Sequence, residues 1–397
     1  MLSIKRDFSL TDFEDGLAEL AGGESDLRIP NHVNASAVGA LAALIQLIVT
    51  WARRSPEAPR LSVYAKDSSD VALANLVRTP FGLAAINMAS AVKAVDGSEI
   101  RRRDALLLAL DYVMTMHAGA LGRLREFDKS RLPIICIDNA RELRRPTRLY
   151  VPGTEEVRDR REFESVVSAC VTTLRPGLQP MKPALVAMMA GLLQEAFQNT
   201  HDHAQTDFRG GALRRSTRGI LIAYHAVEAR GLAAMAGEHL PLQRYFAEWR
   251  PSFPGARDAQ FVELSIFDSG PGLAQSWLCK TRGLTRSIAD EPISVAEEYA
   301  AVSACLAKGG TTKSGSTSGN GLFRIMEIVR RSGGFIRIRS GRLSLIKASD
   351  APANMHSGLS NLDMEDMVAG GPPANARPWA EGTVLTAMLP LNRGPNP

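Results

Sequence analysis

The second half of the chain contains four polar stretches whose residue types and spacing could support chemistry. The first, "LLQEAFQNTHDHA", lies in a helical pattern over residues 183–203 and places Glu195 four residues before Asn199. On a helix these two side chains share a face with Asp202 or His203, one turn further on. Asparagine offers a neutral oxygen to Mg2+, and glutamate can orient or deprotonate a water nucleophile. The spacing predicts a metal-assisted site with Glu195 as base and Asn199 as metal ligand; a plain polar helix face is the alternative.

The second stretch, "FDSGPGL", follows a strand-like apolar run. Asp268 stands at the end of that run, and Gly270 and Gly272 come directly after it. A carboxylate in this place can accept a hydrogen bond from the exocyclic amine of a nucleobase, while the glycines let the base lie against the backbone. The stretch predicts a base-binding turn, and an ordinary chain turn is the alternative.

The third stretch is a Gly/Ser/Thr-rich segment that ends in Gly319-Asn320-Gly321, directly before a helical pattern that begins at Leu322. The N–H groups at the start of a helix have no intrahelical partner and lie at the positive end of the helix dipole. This junction therefore predicts a phosphate site. A flexible loop that ends in a helix cap is the alternative.

The fourth stretch, "EGTVLTAMLP", opens the last strand pattern with Gly382 and Thr383, and the Thr383 hydroxyl is suited to a hydrogen bond with Asp268. In order, the four stretches read ExxxN on a helix, DxGxG after a strand, GNGL before a helix and GT on a last strand. This ordered set resembles the N, G1, G2 and G3 boxes of the GHKL ATPase superfamily, which includes gyrase B subunits, 90-kDa heat-shock chaperones, histidine kinases and MutL proteins. The resemblance covers residues 160–393.

The resemblance implies a Bergerat-type α/β sandwich, in which a mixed sheet is covered by helices on one face, with ATP and Mg2+ as cofactors. It implies that Asp268 binds the adenine amino group with support from Thr383, that Asn199 binds Mg2+ and that Glu195 activates water. A lysine of the lid would reach the γ-phosphate. The other implied cofactor-binding residues flank these positions or belong to the ATP lid: Asp202, His203, Gly270, Gly272, Lys308, Lys313, Gly319, Asn320, Gly321 and Leu322.

The organisation of the chain predicts an α+β protein of two domains. Residues 1–155 alternate strand-like and helical runs, which predicts an N-terminal α/β domain of unknown role. Its "IPNHVNASAVGALAALIQLIVTWA" resembles the strand and helix of small STAS-like modules. Residues 156–397 form the expected ATP-binding domain, interrupted by a polar Pro/Gly-rich insertion over residues 349–380.

The composition is that of a soluble globular protein. Of 397 residues, 45% are hydrophobic and 22% charged, and 47 Lys and Arg against 42 Asp and Glu give a net charge of +5. That charge permits a polyanionic partner such as nucleic acid without requiring one. Four cysteines without CxxC spacing and the lack of a signal-peptide pattern predict a cytoplasmic location. The uncharged run over residues 35–52 predicts a buried helix rather than a membrane span.

Three kinds of ATP user remain open. The first is an ATPase whose lid closure is coupled to a protein partner or to a homodimer; because no transducer-like segment follows the last strand pattern, we expect slow turnover. The second is a GHKL-type protein kinase. Histidine kinases usually carry asparagine at the position of Glu195, whereas serine kinases of the anti-sigma-factor type keep the glutamate and act on STAS modules. The third is a nucleotide-gated interaction module that binds ATP without useful turnover.

Overall fold

A computed structural model describes residues 1–35, 37–137, 145–177, 180–228, 230–249, 258–307, 321–349 and 363–393. These residues form an α+β protein with two β-sheets. The five strands of the first sheet lie side by side in chain order, the first four parallel and the fifth antiparallel. They are β1 (Leu2–Ser3), β2 (Asp26–Pro30), β3 (Arg60–Tyr64), β4 (Ala91–Lys93) and β5 (Glu99–Ile100).

Helices alternate with these strands, which is the α/β arrangement predicted for the first part of the chain. They are α1 (Leu10–Leu20), α2 (Ala40–Arg54), α3 (Ser69–Val77), α4 (Pro80–Met88), α5 (Arg102–Leu108), α6 (Leu110–His117) and α7 (Leu121–Phe127). Helix α2 contains the uncharged run from Ala40 onward, and its residues from Ala40 to Trp51 are all buried, which confirms the prediction of a buried helix. Among the described residues no single helix is long and apolar enough to cross a membrane; α3 and α4 together reach that length and composition, but they are bent by 103°.

The second sheet has seven strands in the order β11-β10-β9-β12-β8-β7-β6. They are β6 (Arg131–Ile137), β7 (Thr217–Glu228), β8 (Asp258–Asp268), β9 (Phe335–Gly341), β10 (Leu343–Ala348), β11 (Glu365–Asp366) and β12 (Ala380–Pro390). Every described pair is antiparallel, so the prediction of a mixed sheet is wrong. The reason is that β12 lies between β8 and β9 and runs opposite to both, which separates two strands that point the same way.

The helices of this part are α8 (Arg160–Leu174), α9 (Pro183–His203), α10 (Gly231–Ala236), α11 (Leu240–Ala247), α12 (Leu273–Arg282), α13 (Val295–Leu306) and α14 (Gly321–Ser332). Helix α9 has the predicted bounds, with Pro183 in its first turn, where a missing N–H costs nothing. Strand β6 was assigned to the N-terminal domain from the sequence, but it pairs with β7 along its whole length. Residues 131–137 therefore belong to the second sheet, and one hydrophobic core runs through both parts of the chain.

Helices cover both faces of the second sheet, so the prediction of one covered face is wrong. On the first face, the Arg218 guanidinium of β7 lies over the Phe197 ring of α9, 5.5 Å from its centroid. On the second face, Phe246 of α11 packs edge-to-face with Phe261 of β8. Helix α2 also lies on the second face, where the backbone N–H of Gly39, directly before α2, donates to Glu263 of β8. Both faces are apolar enough to bury a layer of helices, because these strands are buried on both sides.

The described part of the predicted insertion, residues 363–380, packs onto the second sheet. Strand β11 pairs with β10 at the sheet edge, and the Tyr299 hydroxyl donates to the Met364 carbonyl over 2.8 Å. Met364 and Met367 are buried in the hydrophobic core. These two methionines are therefore part of the chain's own packing.

Candidate functional site

Two helices on the first face bring together residues from the first and third polar stretches. In α9 the apolar side of the last turns is buried, and Glu195 and Asn199 lie half-buried beside it. Gly321, the first residue of α14, lies directly against them: a Cβ at Gly321 would be 2.9 Å from Glu195 Oε2 and 3.5 Å from Asn199 Nδ2. A side chain at Gly321 would therefore have to push the end of the Glu195 side chain aside. The start of α14 thus faces the carboxylate and the carboxamide that the sequence placed on one helix face.

Glu195 also forms an ion pair across the two helices. Arg324, one turn into α14, donates from Nη1 to Glu195 Oε1 over 2.7 Å. The arginine side chain is 61% exposed and the glutamate side chain 23% exposed. The carboxylate is therefore held by a guanidinium that solvent can still reach, and one of its oxygens faces the start of α14.

Asp268 ends β8 directly opposite Thr383 of β12. Its Oδ1 accepts a hydrogen bond from the Gly270 backbone N–H over 2.9 Å. Burial raises the pKa of this carboxyl to about 6, while the backbone N–H groups of Gly270 and Thr383 and the charge of Arg218 act in the opposite direction. A carboxylate that two backbone donors only partly compensate is well suited to accept one more hydrogen bond from a ligand.

The turn after Asp268 joins the site to the end of α9. A Cβ at Gly270 would lie 2.8 Å from the Ala204 Cα, so the turn packs against the residue that follows α9. Ser269 Oγ accepts from the Thr217 backbone N–H over 3.0 Å, which fixes the turn to the start of β7. Asp268 and the Glu195–Asn199 pair therefore belong to one region of the first face.

A bulge in β12 presses on Asp268 from the neighbouring strand. The register with β9 shifts between Ala380 and Thr383, and Gly382 inside the bulge has φ +71°. A Cβ at Gly382 would lie 2.0 Å from the Asp268 carbonyl oxygen, so no other residue fits. The Thr383 hydroxyl has a different partner in the structure, because Oγ1 lies 3.2 Å from Ser340 Oγ on β9. The backbone N–H of Thr383, which lies opposite Asp268, helps to lower the pKa of the Asp268 carboxyl.

The remaining predicted residues are placed as follows. Asp202 is exposed, and its carboxylate accepts a hydrogen bond from Gln198 over 2.9 Å. His203 is half-buried at the end of α9, and Leu322 packs partly buried against the core. Gly272 directly precedes α12. Four predicted residues lie outside the described residues: Lys308, Lys313, Gly319 and Asn320.

Sequence reasoning did not identify Arg218, Arg324 and Ser340. Arg218 is fully buried beside Asp268, with its guanidinium also 5.6 Å from the Tyr150 ring centroid. The sequence did contain an indication of this residue. In "TRGILIAY" the arginine falls on the same side of the alternating strand pattern as the isoleucines that face inward. Ser340 Oγ accepts from the Leu273 backbone N–H over 3.0 Å and donates to the Gly382 carbonyl over 3.3 Å. A serine in a strand gave no such indication.

The donor atoms of the described residues suit only a metal ion that takes few protein ligands. Among the described residues no group of three or more His, Cys, Asp or Glu side chains is arranged to hold a metal ion by itself. Mg2+ usually takes one or two protein oxygens and completes its shell with phosphates and water, so a single Asn199 oxygen beside a helix start is compatible with it. No protein-family model, curated protein or solved structure matches this chain.

Proposed function

We propose that the chain binds ATP with Mg2+ on the first face of the second sheet and hydrolyses it slowly. The observation that carries this proposal is the contact of Gly321 with Glu195 and Asn199. It joins two polar stretches more than one hundred residues apart and sets the positive end of α14 beside a carboxylate and a carboxamide.

Each group has a distinct role in the proposed site. Asp268 accepts a hydrogen bond from the adenine amino group. The first N–H groups of α14 bind phosphate oxygens. Asn199 would hold Mg2+, which supplies positive charge to the phosphates. Glu195 orients the attacking water and takes its proton.

We further propose that this part is related to Bergerat-type domains through the order and placement of its four polar stretches, although its sheet is antiparallel and covered by helices on both faces, and that the N-terminal part is STAS-like. The order of α9, the Asp268 turn, α14 and the β12 bulge supports the first proposal, because all four meet at one region of the first face. Lid closure over bound ATP would then be coupled to a protein partner or to a second copy of the chain.

The test is phosphate release from ATP by the purified chain, compared with Glu195→Gln. The variant keeps the shape of the side chain but cannot take a proton, so turnover should fall by about 10²- to 10⁴-fold while ATP affinity stays within about threefold. Glu297→Gln is the matched control. Glu297 belongs to a different ion pair, in which Arg282 Nη1 lies 2.7 Å from Glu297 Oε1, so this variant should leave turnover unchanged.

Equal turnover in wild type and Glu195→Gln would contradict the assignment of the base. ATP binding without phosphate release in the wild type would favour a kinase or a nucleotide-gated interaction module. No ATP binding in the wild type would end the proposal.

A further inference from the structure

Helix α2 of the N-terminal part makes direct hydrogen bonds to the β12 bulge from the second face of the sheet. Gln46 Nε2 donates to the Glu381 carbonyl over 3.2 Å and to the Arg339 carbonyl over 3.1 Å. Thr50 Oγ1 accepts from the Glu381 backbone N–H over 3.0 Å and donates to the Gln46 carbonyl over 2.8 Å. Both side chains are 1% exposed. Two buried side chains of α2 therefore satisfy both backbone groups of one residue in the bulge.

Glu381 depends on these side chains because it lies in the bulge. A bulge leaves its extra residue unpaired in the strand ladder, and an unpaired buried backbone group costs about as much free energy as a lost hydrogen bond. The register shift falls between Ala380 and Thr383, so Glu381 lies within the interrupted part of the β9–β12 ladder. Gln46 and Thr50 replace the hydrogen bonds that the ladder does not supply there.

The residues after Glu381 hold Asp268. Gly382 lies against the Asp268 carbonyl, and Thr383 lies directly opposite Asp268 in the β8–β12 pair. A shift of Glu381 by a few tenths of an ångström would move both, because the contact at Gly382 leaves no spare room. The chain of contacts therefore runs from α2 through the bulge to the carboxylate of the proposed adenine site.

We propose that Gln46 and Thr50 are positioning residues for Asp268, so that the N-terminal part sets the base-binding end of the site from the opposite face of the sheet. The identity of the ligand rests on the proposed function, whereas the positioning of Asp268 does not. Helix α2 is also tied to the second sheet at both ends: Gly39 N–H donates to Glu263 Oε1 over 3.1 Å, and Arg53 Nη2 donates to the Arg215 carbonyl over 2.7 Å. A displacement of α2 along the sheet would therefore act on the bulge through Gln46 and Thr50.

The first experiment measures backbone hydrogen exchange at the bulge, over residues 380–385, in the full chain without nucleotide. Thr50→Val removes the acceptor for Glu381 N–H at nearly constant shape, and Gln46→Met removes the donor. Both should exchange at least about threefold faster than wild type at the bulge. Thr50→Ser keeps the hydroxyl and should restore the protection.

Leu47→Ala is the control for a purely structural effect. Leu47 lies on the same helix but packs against α1. Its Cδ2 atom is so close to Gly16 of α1 that a Cβ added to that glycine would be only 2.9 Å away. This variant should lower the melting temperature through the lost packing while leaving exchange at residues 380–385 as in wild type. Equal protection of the bulge in wild type, Thr50→Val and Gln46→Met would overturn the proposal.

The second experiment compares ATP with inorganic triphosphate as probes. Thr50→Val should weaken ATP binding by roughly three- to tenfold and leave triphosphate binding unchanged, because only the adenine end is displaced. Loss of both affinities together would indicate a general structural role and count against positioning. If the wild type binds neither probe, the proposed function fails, and the exchange experiment still decides whether α2 positions Asp268.

Discussion

The two faces of the second sheet both bury polar side chains, but these side chains have different partners. On the second face, Glu263 accepts hydrogen bonds from Gly39 N–H and Ser265 Oγ and lies 2.9 Å from His225 Nε2. On the first face, the Asp268 carboxyl accepts a hydrogen bond from the Gly270 backbone N–H over 2.9 Å. Glu263 is thus enclosed by groups of the chain itself, whereas Asp268 is partly accessible.

The pKa values of the two carboxyls express the same difference. Burial raises the pKa of Glu263, but the hydrogen bond and charge of His225 outweigh it, with smaller contributions from Arg131 and Ser265, and the pKa ends below its usual value. For Asp268 burial prevails, and the pKa rises to about 6. Buried polar groups that the chain satisfies fully serve to dock its parts, whereas an undercompensated carboxylate in a partly open position is a candidate for ligand binding.

Of the substitutions that distinguish the two faces of the second sheet, Glu263→Leu should have the largest effect. The substitution leaves Gly39 N–H, Ser265 and His225 buried without their common acceptor, so the free energy of unfolding should fall by about 3 kcal/mol. Urea denaturation measures this loss. Glu291→Leu removes an ion pair between side chains that are 51% and 61% exposed and should cost less than about 1 kcal/mol. If both variants lost the same free energy of unfolding, the buried Glu263 would contribute no more to stability than an exposed ion pair does.

Asp268→Asn should produce the reverse pattern. Losing the charged acceptor should lower ATP affinity by roughly 10- to 100-fold, while the free energy of unfolding stays the same or rises, because a desolvated charge is removed. Calorimetric titration with ATP measures the affinity. Asp111→Asn is the control, because its carboxylate is exposed and pairs with Arg123 at 3.4 Å in the N-terminal part. Unchanged affinity in Asp268→Asn would remove the first face as the binding site.

The pH dependence of stability should have opposite signs on the two faces. The pKa of Asp268 is raised from 3.8 to about 6, so its contribution to stability is complete below pH 3.8 and is lost as the pH rises through about 6. The pKa of Glu263 is lowered from 4.5, so its contribution is present above pH 4.5 and is lost as the pH falls through the lower folded value. Urea denaturation between pH 3.5 and 7, with Asp268→Asn and Glu263→Leu each compared with wild type, measures both. If both substitutions changed the pH dependence of the free energy of unfolding in the same direction, the opposite pKa shifts of Asp268 and Glu263 would be contradicted.

The local parts of the first face were predictable from the sequence. The bounds of α9, the end of β8 at Asp268 and the start of α14 near Gly321 follow from apolar periodicity and from proline and glycine positions. Helices α10 to α13 were not predicted. The arrangement of the second face was not predictable in this way, because its bonds join residues as far apart as Gln46 and Glu381. Such bonds end on backbone groups, which leave no mark in the sequence.

The smallest expected effect concerns Thr383. The sequence assigned the support of Asp268 to the Thr383 hydroxyl, whereas in the structure the Thr383 backbone acts on the pKa of Asp268. Thr383→Val removes the hydroxyl, which lies 3.2 Å from Ser340 Oγ, and keeps the backbone N–H, which helps to lower the pKa of the Asp268 carboxyl. ATP affinity should therefore change by less than about threefold. Ser340→Ala should have the larger effect, because Ser340 also bonds Leu273 N–H and the Gly382 carbonyl and so holds the turn and the bulge together. If Thr383→Val weakened ATP binding as much as Asp268→Asn, the hydroxyl itself would support the carboxylate in the bound state, and the first face would depend on side chains as much as the second does.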